Sequence, residues 1–128
     1  MIYLDTSVAL AHLLAEDRQL PEALWGQPLV ASRLLEYELW TRLNARGLGR
    51  SHGAAARGLL ERLALVELLP NVLARALEPF PFPVRTLDAL HLATLEFLRQ
   101  RDRRLELASY DERLVAAGRA LGISIAEL

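Results

Sequence analysis

The chain has 128 residues, 52% apolar and 24% charged, with a net charge of −1 and no cysteine. That length fits one domain with a sizeable core, and the composition excludes a disordered chain. Thiolate metal sites, thiol nucleophiles and disulfides are excluded, so a bound metal would take oxygen or imidazole ligands, and no basic excess draws in nucleic acid by bulk attraction.

Met1 to Asp5 is an apolar run ending in an acid, followed by Thr6, Ser7 and the apolar Val8, Ala9, Leu10, Leu13 and Leu14, which predicts strand, tight turn and helix. A short helical piece at Leu20 to Trp25 is broken by Gly26, and Pro28 to Ala31 make a second strand. Ser32 is placed to cap a helix carried by Leu34, Leu35, Leu39 and Leu43 and ended by Gly47 and Gly49. A helix from Ser51 to Ala64, weakened by Gly53 and Gly58, leads to a third strand at Leu65 to Leu69, closed by Pro70. Asn71 to Leu77 reads as a short helix. The alternate prolines 79, 81 and 83 then force an extended connector whose phenylalanines cover a core edge. Thr86 is expected to cap a long helix ending among Arg99, Arg101, Arg103 and Arg104, whose charge suits a helix C-terminus. Arg104 to Ala108 form a fourth strand, Tyr110 to Leu121 a helix closed by Gly122, and Ile123 to Ala126 a last strand.

Strands alternating with helices predict a parallel sheet flanked by helices on both sides, because each parallel crossover needs a helix-sized connection. In such sheets ligands bind beyond the carboxyl ends of the strands. Asp5 ends the first strand, Ser109 and Asp111 follow the fourth, and Glu38 and Asp88 occupy early helical turns, so one sheet edge can collect all four acids. Carboxylates crowded into one cleft repel one another unless a hard divalent cation such as Mg2+ or Mn2+ neutralises them.

Each acid also has an ordinary structural explanation. Asp5 is placed to cap a helix, and Asp88 in a first turn favours the helix dipole. His91, three residues after Asp88, shares its helix face and so a possible site, although a single His on an apolar helix is more often a satisfied core residue. Glu36 and Glu38 point about 200° apart on a helix, so only one can face the site, and periodicity does not choose between them. Either Ser109 or Asp111 is placed to cap the next helix, and with Ser109 as the cap Asp111 is left to reach a metal. All fifteen basic residues are Arg, clustered at Arg42, Arg46 and Arg50 and again at Arg99 to Arg104. Such clusters suit phosphates or are simply solvated helix faces. No stretch is long and uncharged enough to span a bilayer, and no basic leader precedes Met1 to Asp5, so a cytoplasmic location is expected.

The strings Met1-Ile2-Tyr3-Leu4-Asp5-Thr6-Ser7, Ser32 to Glu38, Arg85-Thr86-Leu87-Asp88-Ala89-Leu90-His91-Leu92-Ala93, and Ser109-Tyr110-Asp111-Glu112-Arg113-Leu114 together resemble the PIN-domain ribonucleases, and most of all the VapC-type toxins of bacterial toxin–antitoxin pairs. The resemblance spans the chain and implies one PIN domain over residues 1–128, a three-layer α/β/α sandwich with a central parallel sheet. It selects Glu38, six residues after Ser32, and gives Asp5, Glu38, Asp88 and Asp111 as the acidic set holding Mg2+ or Mn2+. Thr6 or Ser7, and Ser109, match hydroxyl positions that order the carboxylates. The implied activity is endonucleolytic RNA cleavage by metal-activated water, in a homodimer paired with a cognate antitoxin whose C-terminal segment crosses the acidic pocket. A housekeeping PIN nuclease without antitoxin and a catalytically silent PIN interaction module are the alternatives. A haloacid-dehalogenase-like phosphatase fits less well, because the position two after Asp5 is Ser7 and the chain has no lysine.

Overall fold

The computed structural model describes residues 1–128. Its first strand, β1 (Ile2–Leu4), is wholly buried, as expected of a central parallel strand covered on both faces. Ile2 and Leu4 pack into one apolar cluster and Tyr3 into another, on opposite sides of the sheet. β2 (Leu29–Ser32) repeats the pattern, with Leu29 and Ala31 on one side and Val30 on the other. With β3 (Ala64–Val66), β4 (Glu106–Ala108) and β5 (Ser124–Ile125) these strands form a five-stranded sheet in the order β3-β2-β1-β4-β5, every pair parallel.

Helices α1 (Thr6–Leu13), α3 (Arg33–Ala45) and α4 (Gly49–Glu61) fill one face through Val8, Leu13, Leu35, Leu39, Leu43 and Leu59. Helices α6 (Thr86–Arg99) and α7 (Glu112–Ala120) fill the other through Leu92, Leu95, Leu98 and Leu114, and Phe80 and Phe82 of the proline-rich connector pack at that cluster's edge. The short α2 (Glu22–Trp25) and α5 (Pro70–Ala76) complete the chain. The expected three-layer α/β/α sandwich is therefore the observed architecture. Because β1 is flanked by β2 and β4, the sheet's switch point lies between β1 and β4, and a crevice opens there beyond their carboxyl ends.

Several boundaries differ from the sequence reading. Gly47, at φ +69°, ends α3, but Gly49 opens α4, so the two glycines bracket a corner. The third strand is shorter than Leu65 to Leu69 because the Leu69 amide turns back onto the Glu67 carbonyl at 2.9 Å, and Pro70 starts α5 as well as closing the strand. Thr86 does not cap α6: Arg85 occupies the cap position, with no side-chain cap bond, and Thr86 is the first helical residue. The last helix starts at Glu112, not Tyr110, because Asp111 caps it.

Candidate metal centre

Asp5 still belongs to the sheet line through its amide, which donates to the Ala108 carbonyl at 3.0 Å, while its side chain caps α1. One oxygen, Oδ2, accepts the Ser7 hydroxyl at 2.6 Å, the Ser109 hydroxyl at 2.8 Å and the Ser7 amide at 3.3 Å. Those hydroxyls accept in turn, Ser7 from the Tyr110 amide at 3.0 Å and Ser109 from the Asp111 amide at 2.9 Å. The turns after β1 and β4 are thereby stitched across the switch point with Asp5 between them. Asp5 is only 6% exposed, yet its second oxygen takes no protein bond. That oxygen opens into the crevice, since the Tyr110 hydroxyl is the single buried side-chain polar atom without a partner.

Glu38 sits beside it. Its Oε1 accepts the Thr6 hydroxyl at 3.1 Å and lies 2.6 Å from His91 Nε2, while His91 Nδ1 is 2.7 Å from the buried Tyr3 hydroxyl. In the neutral ring Nε2 donates to Glu38 and Nδ1 accepts from Tyr3; once protonated, both nitrogens donate. Burial alone would lower the His91 pKa, but the Glu38 bond and the charges of Asp5, Glu38 and Asp88 outweigh it and hold it above the ordinary value. Burial, reinforced by the Asp5 charge, pushes Tyr3 well up, which keeps its hydroxyl protonated. Glu36 pairs at 2.9 Å with Arg33, which also binds Glu67 at 2.7 Å, and does not line the crevice. Geometry thus separates the two glutamates that helical periodicity could not.

Asp88, in the first turn of α6, and Asp111, at the cap of α7, approach from the opposite side of the crevice. Asp111 Oδ1 accepts the Arg113 amide at 2.9 Å and the Leu114 amide at 3.3 Å, so this residue, and not Ser109, caps α7. Its Oδ2 meets Arg85 Nη2 at 3.4 Å, and Arg85 Nε meets Asp88 Oδ2 at 3.1 Å. One guanidinium therefore bridges two of the four acids.

All four carboxylates, with Thr6, Ser7 and His91, line a single open cleft of about 520 Å3, while Ser109 acts from beneath it through Asp5. Two contributors escaped the sequence reading. Arg85 stands three residues before Asp88, a helical pairing distance that could have flagged it; Tyr3 carried no signal beyond its place in an apolar strand. In chemistry the donor set fits a hard divalent cation, being oxygen throughout, with Asp5 Oδ1, Glu38 Oε2 and Asp88 Oδ1 free of protein bonds. As the side chains stand, however, no three of them gather closely enough to enclose one ion. Arg85 holds Asp88 and Asp111 by one oxygen each, and His91 holds Glu38.

A parallel sheet with an acidic crevice at its switch point is the architecture expected of PIN domains, and the PIN domain family model matches residues 2–120. The chain belongs to the PIN-domain family, among its VapC-type members. It is 37% identical over 127 residues to Ribonuclease VapC46 of Mycobacterium tuberculosis (strain H37Rv), covering 97% of this chain and 95% of the relative. Ribonuclease VapC47 of M. tuberculosis (strain CDC 1551) is 30% identical, with 95% and 93% covered. Among solved structures, M. tuberculosis VapC20, a Sarcin-Ricin loop cleaving toxin, superposes with a TM-score of 0.69 at 23% identity, covering 92% of this chain and 95% of that one. A toxin–antitoxin complex from Klebsiella pneumoniae gives 0.66 at 18% identity, with 91% of each chain covered. These two solved structures share the fold. No helix is long and apolar enough to cross a membrane.

Proposed function

We propose that the chain, as one PIN domain over residues 1–128, is a divalent-metal-dependent endoribonuclease and the toxin of a toxin–antitoxin pair. The observation that carries this reading is the convergence of Asp5, Glu38, Asp88 and Asp111, from four separate segments, on one solvent-open cleft. Its relatives' names as VapC ribonucleases support the substrate class.

Asp5, Glu38, Asp88 and Asp111 would hold Mg2+ or Mn2+. Bound there, the cation would supply charge neutralisation of the scissile phosphate and acidification of the attacking water. The chain's own residues prepare the place. Ser7 and Ser109 saturate Asp5 Oδ2 and leave Oδ1 facing the cleft, and Thr6 and His91 do the same for Glu38 through Oε1. This one-sided holding fixes each carboxylate while keeping an oxygen for ligation, the arrangement that outer hydrogen bonds give to metal ligands. Asp88 and Asp111, now held by Arg85, would complete that set.

The same acid pair suits a partner's arginine, since it already accepts a guanidinium from Arg85. This supports an antitoxin segment lying across the cleft. For self-association, Leu69 at the N-cap of α5, Leu73 within it and Leu77 at its C-cap, spaced four apart and exposed by 38%, 41% and 88%, offer an apolar stripe, and we assign it to a homodimer contact.

The test is cleavage of a mixed-sequence RNA by purified protein after chelation. Adding Mg2+ or Mn2+ should restore cleavage, and Asp88→Asn should lose it while retaining a cooperative thermal transition. Undiminished cleavage in excess chelator would overturn the metal-dependent reading.

A further inference from the structure

Glu38 and Arg42 stand four residues apart on α3, the spacing and order at which a glutamate and a following cation ordinarily pair. They do not pair. Glu38 is turned onto His91 and Thr6, and neither the Arg42 guanidinium nor that of Arg46, one further turn along, makes an ion pair or hydrogen bond with the protein. Both are exposed and both line the acidic cleft. Leu39 and Leu43, each one position on, are fully buried, so Glu38, Arg42 and Arg46 form the stripe beside the buried seam.

The opposite bank is α1. Helices α1 and α3 leave adjacent parallel strands on the same face of the sheet, so they run side by side, and the bond from Thr6 to Glu38 sets their register. Leu10 and Leu14, four and eight residues after Thr6, accompany Arg42 and Arg46, four and eight after Glu38, and all four line the cleft. The cleft thus holds its four clustered carboxylates at one end and, along its length, has an apolar bank facing two guanidiniums that no carboxylate holds, with Glu16 and Arg18 past Leu14 at the far end. A phosphodiester strand has that complementarity: phosphates for Arg forks and base faces for aliphatic side chains. An acidic peptide would use the arginines but not the apolar bank.

We infer that Arg42 and Arg46 form a phosphate track that seats single-stranded RNA on one side of the scissile bond. The inference rests on the ribonuclease reading and extends it to the binding path. It also divides the arginine clusters, because Arg103 and Arg104 lie beyond the far end of α6, roughly 20 Å along the helix from Asp88 at 1.5 Å per residue.

The experiment measures binding of a fluorescently labelled 12-nucleotide single-stranded RNA by anisotropy, with chelated full-length protein, so that neither metal nor cleavage enters. Arg42→Ala/Arg46→Ala should weaken binding roughly tenfold and lower the slope of log affinity against log salt by about 0.7 for each arginine removed. Lysine at both positions should restore the slope, and Arg103→Ala/Arg104→Ala should leave binding unchanged. With RNA shortened from one end, the sensitivity to the Arg42 and Arg46 variants should vanish. Undiminished binding by the double alanine variant overturns the track, as do equal losses in the Arg103/Arg104 control or sensitivity that survives shortening from either end. Loss of a Glu-rich peptide's binding with RNA binding intact would also overturn it, by assigning the arginines to a protein partner. Failure here leaves the carboxylate reading standing, and uncut RNA with arginine-dependent binding leaves the track standing.

Discussion

At the scale of single residues, the cleft depends on carboxylates held by one oxygen, and His91 is the most buried part of that holding. Tyr3→Phe removes the hydroxyl 2.7 Å from His91 Nδ1 and leaves a buried nitrogen without a partner, so it should cost about 1–3 kcal/mol in urea denaturation. In chelated protein, the raised His91 pKa means that the folded state binds more protons than the unfolded state between the ordinary value of about 6.5 and the higher folded value. The stability from this pairing is complete below the unfolded value and is lost as pH rises through the folded one. The urea midpoint of wild type should fall across that window, and His91→Gln should flatten the fall; a midpoint rising with pH there would contradict the assignment. Arg85 acts in the other direction, since its guanidinium competes with a cation for Asp88 and Asp111. Arg85→Ala should therefore tighten Mn2+ binding a few-fold in a calorimetric titration, and weaker binding would show that Arg85 assists the site. Asp5 was legible in sequence because strand end and helix cap coincide at one position. Glu38 was not legible from periodicity, because α3 is apolar on nearly every side and only its contacts with His91 and Thr6 separate it from Glu36.

At the scale of elements, alternation of apolar runs and helical spacing located all five strands and the long helices, because buried parallel strands and amphipathic helices carry strong patterns. Their ends were less visible. Thr86 and Ser109 look like caps, but Arg85 takes one cap position and Asp111 the other, since the Ser109 hydroxyl is committed to Asp5. Glycines show the same dependence on local geometry. Gly47, at φ +69°, has open space around a built Cβ, so Gly47→Ala should destabilise by about 1 kcal/mol through backbone strain alone. Gly58, exposed within α4 with equally open surroundings, should instead stabilise by about 0.5–1 kcal/mol when changed to Ala. Chemical denaturation of the two variants should show opposite signs, which a common effect of added side-chain volume would not produce.

At the scale of the whole molecule, the order β3-β2-β1-β4-β5 turns four acids scattered over more than a hundred residues into one cleft, because the ends of β1 and β4 meet at the switch point. The exposed leucines of α5 belong to this scale too. Leu73→Glu/Leu77→Glu should convert a dimer to a monomer in light scattering without changing the thermal transition of the fold, whereas a monomeric wild type would contradict the assigned contact. Sequence pattern could not show this stripe, because α5 is only seven residues long and its exposure depends on what packs beside it. The central claim, that the cleft cuts RNA through its four carboxylates, is tested most directly by the initial rate of RNA cleavage in Mn2+ for wild type, Asp5→Asn, Glu38→Gln and Glu36→Gln. Wild type and Glu36→Gln should cleave at similar rates, and Asp5→Asn and Glu38→Gln should fall by at least about a hundredfold. Full cleavage by Asp5→Asn or Glu38→Gln, with the fold intact, would contradict it.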